Sequence, residues 1–139
     1  MATVAVERTI DADPDAVRER MHAVEAFVRA AGFDEVWRDG DRVEVANRVG
    51  PVEIELVLEL YNDPDADVAY RQVAGIFERM TTTYALDESD GGTAVTARTE
   101  FAVDAAVVGS VLDATVISRQ RRHELNAQLD YLERTGSDR

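Results

Sequence analysis

Cysteine is absent from this chain, and so is lysine: all 15 basic residues are arginine. Without cysteine there is no disulfide framework, no thiolate nucleophile and no thiolate-held metal. Histidine is scarce. His22 falls at a break in a helical stretch and His123 opposite the apolar stripe of its helix, and both read as surface residues. No H-x-x-x-H or H-E-x-x-H spacing occurs, so no metal site is expected. Long apolar runs are missing as well. Nothing approaches the roughly 18 consecutive apolar residues of a membrane span, and residues 1–8 carry neither a basic nor a long apolar stretch. These features predict a cytoplasmic protein with no integral membrane insertion. Positive charge is outweighed too: 28 acidic residues leave a net charge of −13, which removes any electrostatic basis for binding nucleic acid.

The acid excess is itself a feature. Arginine is more weakly hydrated than lysine, and dense surface carboxylates keep a protein soluble where salt screens other charges. The composition therefore reads as halophilic. A GC-rich genome would also favour Arg, Ala and Asp, but it accounts for the acidity less well. At 139 residues the chain is expected to form one domain over residues 1–139, with residues 136–139 as a frayed tail. A domain of this size buries about two-thirds of its unfolded surface.

Residues 3–10 alternate apolar and polar, as a half-buried strand does. Asp13 then suits a helix N-cap, Pro14 the first helical position and Asp15 the positive helix end. The helical stretch breaks near His22 and resumes to Gly32, and residues 33–38 form a short strand. Strands are predicted over residues 42–49, 52–61, 68–73, 77–87 and 93–103, separated by turns such as Asp39-Gly40-Asp41 and Asp90-Gly91-Gly92. A final amphipathic helix covers residues 104–134. The fold class is α+β: a curved antiparallel sheet around a long C-terminal helix, with two short helices after the first strand.

Val52, Ile54, Leu56, Leu58 and Leu60 share one face of the longest strand, and Glu53, Glu55 and Glu59 share the other. Such alternation means one side is core and the other water. Met80, Thr82 and Tyr84 form the inward set of the next long strand, with Val95, Ala97, Thr99 and Phe101 on its partner. On the last helix, Val107, Val111, Ala114, Ser118, Leu125, Leu129 and Leu132 form a stripe whose middle is small. Ala114 and Ser118 facing Thr82 and Thr99 would leave a cavity. Neutral polar groups turned inward, Asn47, Gln72, Thr82, Tyr84 and Thr99, could orient a ligand oxygen there. The other reading of the threonines is a bond to their own backbone.

Arg8 shares strand parity with Val4, Val6 and Ile10, so it either meets a ligand anion or pairs with a structural acid at the sheet edge. Arg121 and Arg122 flank the helix stripe. Either could place a guanidinium at the cavity mouth, and Arg122 is taken as the site candidate; the alternative is a solvated helix face. Trp37 reads as a rim or core aromatic. Tyr84 is the best general acid if the protein is an enzyme, though its ordinary pKa of ~10 suits hydrogen bonding better. The acidic residues fall mostly on outward parity, so no catalytic acid pair emerges. No Gly-x-Ser-x-Gly elbow is present, and Gly91-Gly92-Thr93 is a turn rather than a phosphate loop.

Two segments carry a family resemblance. One is Arg8-Thr9-Ile10-Asp11-Ala12-Asp13-Pro14-Asp15-Ala16-Val17. The other is Gly75-Ile76-Phe77-Glu78-Arg79-Met80-Thr81-Thr82-Thr83-Tyr84-Ala85-Leu86, running on to Asp90-Gly91-Gly92-Thr93-Ala94-Val95. In this order, over essentially the whole chain, they resemble the START-like, or SRPBCC, superfamily, which shares the helix-grip fold of the birch-pollen allergen. Gly40-Asp41-Arg42-Val43 and Val49-Gly50-Pro51-Val52 look like segments of its carbon-monoxide-dehydrogenase-related members. The later block looks more like polyketide-cyclase or coenzyme-Q-binding members. The resemblance implies binding of a lipid, quinone or polyketide-like molecule, and it brings no invariant catalytic set.

The expected function is therefore binding or transport of a small hydrophobic molecule, with no catalytic residues and no cofactor. The alternatives are a cyclase or dehydratase acting on such a molecule through Tyr84 and Arg8, and an interaction module whose groove receives a protein partner. The expected state is a monomer or homodimer. Salt tests the halophilic reading directly: because the carboxylates repel one another, the melting temperature should climb steeply from low salt to molar KCl. A flat or falling melting temperature rejects it.

Overall fold

The computed structural model describes residues 2–49, 51–103 and 114–137. Strand β1 (Ala2–Ile10) is followed by helices α1 (Pro14–His22) and α2 (Val24–Arg29). A meander comes next: β2 (Glu35–Asp39), β3 (Arg42–Val49), β4 (Val52–Leu60), β5 (Val68–Ala74), β6 (Phe77–Ser89) and β7 (Gly92–Val103). Helix α3 (Ala114–Ser137) ends the described chain. The predicted strands agree with these to within two residues at either end. Residues 104–113, where the final helix is expected to begin and where Val107 and Val111 fall, lie outside the described residues.

The sheet has seven strands in the order β1-β7-β6-β5-β4-β3-β2. All neighbours are antiparallel. Each meander strand thus lies beside its sequence neighbour, and only β1 crosses over, through α1 and α2, to pair with β7. Asp13 caps α1 as expected, its Oδ1 accepting from Ala16 N at 3.0 Å. Ala23 leaves helical geometry (φ −76°, ψ 69°), which separates α1 from α2. Val17, Met21, Val24, Phe27 and Val28 are all buried, so both short helices face the core.

One face of the sheet is the core. Leu56 and Leu58 are buried, Val52, Ile54 and Leu60 pack beside them, and Glu53 and Glu55 are exposed, as the alternation of β4 requires. Helix α3 lays Leu125, Leu129 and Leu132, each fully buried, onto this face. Burying such a side chain contributes roughly 1.5–3 kcal/mol. Trp37 departs from expectation. It is 57% exposed, because β2 pairs Trp37 with Glu44 and turns both to the outer face of the sheet.

The turn between β5 and β6 shapes the space under α3. The Gln72 side chain clamps it, Nε2 donating to Phe77 O at 2.7 Å and Oε1 accepting from Phe77 N at 3.0 Å. The β6 register shifts between Phe77 and Arg79, and that of β4 between Val57 and Leu58, so both strands bend here. Gly75 has φ 151°, and a Cβ there would stand 2.5 Å from both Gln72 Oε1 and Leu56 Cδ2. Gly75→Ala should therefore cost more than about 1 kcal/mol, read as a lower urea midpoint. An unchanged midpoint would mean that the turn has room to spare.

Candidate functional site

Under the N-terminal half of α3, a hydrophobic core gives way to a buried polar cluster. Arg121 is 5% and Glu124 3% exposed, and they form an ion pair through Arg121 Nη1 and Glu124 Oε1. Their i, i+3 spacing puts both on one helix face. Arg121 Nη2 donates to Thr82 Oγ1 at 3.0 Å, and Thr82 bonds Thr99 Oγ1 at 2.9 Å. Thr99 Oγ1 in turn donates to Thr81 O at 3.3 Å. The far oxygen of Glu124 accepts from Gln120 Nε2 at 3.1 Å and Asn47 Nδ2 at 3.5 Å. Each group thus answers the next, as a buried polar network must. One atom is left out: Arg121 Nε is buried without a hydrogen-bond partner.

Burial by itself lowers the Arg121 pKa, but the Glu124 carboxylate leads the causes that raise it, and the guanidinium stays charged. A second chain runs behind it. Tyr70 and Tyr84 hydroxyls lie 2.8 Å apart, Tyr84 donates to Gln128 Oε1 at 2.5 Å, and Gln128 Nε2 donates to Phe27 O at 3.1 Å. Phe27 also meets the Tyr84 ring edge-on at 4.8 Å. Burial first, and the neighbouring Tyr70 second, push the Tyr84 phenol well above its ordinary pKa. It is a neutral structural donor.

Beside Arg121 lies a cavity of about 30 Å³. That is room for one water or one carbonyl group. Arg121, Glu124, Gln120 and Asn47 form its polar side, and Phe33, Ile54, Leu56, Ile76, Phe77 and Ile117 its apolar side. A larger depression of about 470 Å³ lies on the outer face around Trp37, fringed by Glu35, Glu44 and Glu55. It is open, and none of its described lining residues is a buried polar group. Among the described residues no cluster of acidic or histidine side chains is gathered for a metal, and no helix is long and apolar enough to cross a membrane.

No protein-family model matches the chain, and no curated protein matches its sequence. Solved structures do match in shape. An aromatase/cyclase, Zhui, from Streptomyces sp. R1128 aligns with a TM-score of 0.74 at 22% identity, covering 96% of this chain and 94% of that one. A START superfamily protein from Mycobacterium smegmatis aligns at 0.72 with 11% identity and 96% of each chain. The fold is the START-like helix-grip fold. Ginseng major latex-like protein 151, from Panax ginseng, shares it at 0.66 with 16% identity, over 98% of this chain and 97% of that one.

Within this helix-grip frame the expected site residues scatter. Asn47 reaches the cavity, and Thr82 and Thr99 stand behind it, bonded to Arg121 directly and through one another. Met80 is core, its sulfur accepting from Thr82 at 3.3 Å. Tyr84 is enclosed with Tyr70 and Gln128, and Gln72 is occupied by the turn. Ser118 is only half-buried and does not line the cavity; the side chain of Ala114 lies outside the described residues. Neither Thr82 nor Thr99 lines the cavity, and Thr82 is met by the Arg121 guanidinium. Arg8 binds Asp130 at 2.5 Å and Glu133 at 3.1 Å, fastening β1 to α3 as a structural ion pair. Arg122 is exposed and points at Ala5 O on β1, away from the cavity.

Residue parity predicts Arg121 beside the stripe and no buried acid; the structure corrects both points. A usable signal exists. At 100° per residue Arg121 falls between Ile117 and Leu125, and Glu124 follows one turn on. Requiring an apolar stripe hides it. Leaving one member of this pair alone in the core should be expensive: Glu124→Leu is expected to lose about 3–5 kcal/mol in urea unfolding. A loss within about 0.5 kcal/mol, typical of surface changes, would mean the pair is solvated.

Proposed function

We propose that the protein binds a small hydrophobic molecule between the sheet and α3, with the polar end of that molecule at Arg121. One observation carries the reading: a buried, charged arginine whose Nε has no partner lines a cavity that is polar on one side, with Glu124, Gln120 and Asn47, and apolar on the other. Few polar groups in an apolar pocket are what orient a ligand. The charge pair also has no evident stabilising purpose, since desolvating two ions costs about as much as their attraction returns. Well-packed apolar residues would hold the helix at least as firmly. A lipid, quinone or polyketide-like molecule fits the chemistry, and the aromatase/cyclase and START neighbours share the frame in which such a site is built.

Binding is favoured over catalysis by Tyr84, the phenol expected to serve as an acid. It does not line the cavity, its proton is committed to Gln128, and its pKa is raised.

The test separates stability from binding. Replacing both partners at once, Arg121→Met with Glu124→Leu, should leave urea stability unchanged or higher, because no charge is stranded. The wild-type protein should bind undecan-2-one saturably in calorimetric titration, and the double variant at least about tenfold more weakly. A wild-type protein that takes up no ketone, and that releases no small molecule in native mass spectrometry, would remove the basis of this function.

A further inference from the structure

We infer that Glu124 makes this site select a neutral ligand that presents a carbonyl oxygen to Arg121 Nε, and exclude the corresponding carboxylate. The inference rests on the binding role proposed above and adds the chemical class of the ligand's head group.

Charge balance at the cavity is the starting point. The Arg121 guanidinium is already matched by Glu124, whose other oxygen is held by Gln120 and Asn47. An entering carboxylate would put a second negative charge beside Glu124 with only one cation between them. Because Arg121 and Glu124 are 5% and 3% exposed, salt screens that repulsion much less than it would at the surface. An entering ammonium would face the guanidinium directly. A neutral group avoids both costs.

Hydrogen bonding narrows the choice. Arg121 Nη1 donates to Glu124 and Nη2 to Thr82, while Nε is the nitrogen of this guanidinium that is buried with no acceptor at all. An arginine can only donate. The matching group is therefore an acceptor, and a carbonyl brings no proton that would need an acceptor of its own. Size agrees, since about 30 Å³ admits one such group. Phe33, Ile54 and Ile76, all partly buried, flank the cavity with apolar surface for the rest of the molecule.

Selectivity of this kind works by penalising the wrong partner. Removing the penalty should therefore invert the preference. Glu124→Gln keeps the size and an acceptor oxygen of the side chain but removes its charge, which leaves Arg121 as a lone buried cation.

The experiment uses two ligands with the same nonyl tail, undecan-2-one and decanoate, titrated calorimetrically near neutral pH. The wild-type protein should bind the ketone at least about tenfold more tightly than decanoate. Glu124→Gln, checked for folding by circular dichroism, should lose that preference or reverse it. The wild-type comparison needs no variant, so it decides even if Glu124→Gln fails to fold. Decanoate binding to the wild type as well as or better than the ketone overturns the inference and leaves the binding role intact. A folded Glu124→Gln protein that keeps the ketone preference also overturns it, because another group must then be selecting. If the wild type binds neither ligand, the inference fails, and native mass spectrometry that finds no released small molecule shows that the binding role fails with it.

Discussion

An antiparallel sheet with one apolar face must be covered, and that requirement arranges everything else in this molecule. Seven strands present Val, Leu, Tyr and Phe side chains to one side, while Glu53, Glu55 and their neighbours keep the other side wet. Among the described residues, three helices supply the cover. Helices α1 and α2 press Val17, Met21, Phe27 and Val28 onto it, and α3 adds Leu125, Leu129 and Leu132. Arg8 on β1 then fixes the far part of α3 through Asp130 and Glu133. The leucine-bearing part of α3 is thus held by both apolar burial and ion pairs at its edge.

Nearer its N-terminus α3 covers the sheet differently. There the helix puts a guanidinium and a carboxylate where leucines would pack, and the sheet answers with Thr82, Thr99 and Asn47. Two charges in a low-dielectric interior are tolerable only when each is paired and its remaining hydrogen bonds are met. Glu124 meets that standard with donors from Arg121, Gln120 and Asn47. Arg121 leaves Nε without a partner, and Arg121 is one of the residues lining the cavity. Leu56, Ile76 and Phe77, which line this space, lie next to the register shifts of β4 and β6 and to the turn held by Gln72 and Gly75. Strand geometry and site chemistry are therefore one arrangement.

The Tyr70–Tyr84–Gln128–Phe27 chain plays a supporting part. It ties two strands, α3 and α2 together through hydrogen bonds that are wholly buried. The Tyr84 phenol, its pKa raised by burial, stays neutral, so the link at its centre holds across the ordinary pH range. None of the four linked residues lines the cavity.

Local pattern is enough to read the architecture. Period-two alternation sets which face of β4 is buried, Asp13-Pro14 sets the start of α1, and Asp-Gly turns set the hairpins, because each depends on residues close in sequence. Asn47 is legible for the same reason, since its strand parity turns it inward. The identity of the site is not. Whether Arg121 reaches water or a partner depends on Thr82, 39 positions away, and on Glu124 and Asn47, 77 positions apart. A lone charged residue in a sequence defaults to the surface because desolvation is costly, and only a folded neighbourhood supplies the partners that offset the cost. Arg8 and Gln72 show the converse: their inward parity is plain, but the acids of α3 and the backbone of Phe77 claim them. Alternation along each strand is enough to set which surfaces face inward. Which inward polar groups find partners, and which atom goes without, follows only from neighbours that folding brings together from far along the chain.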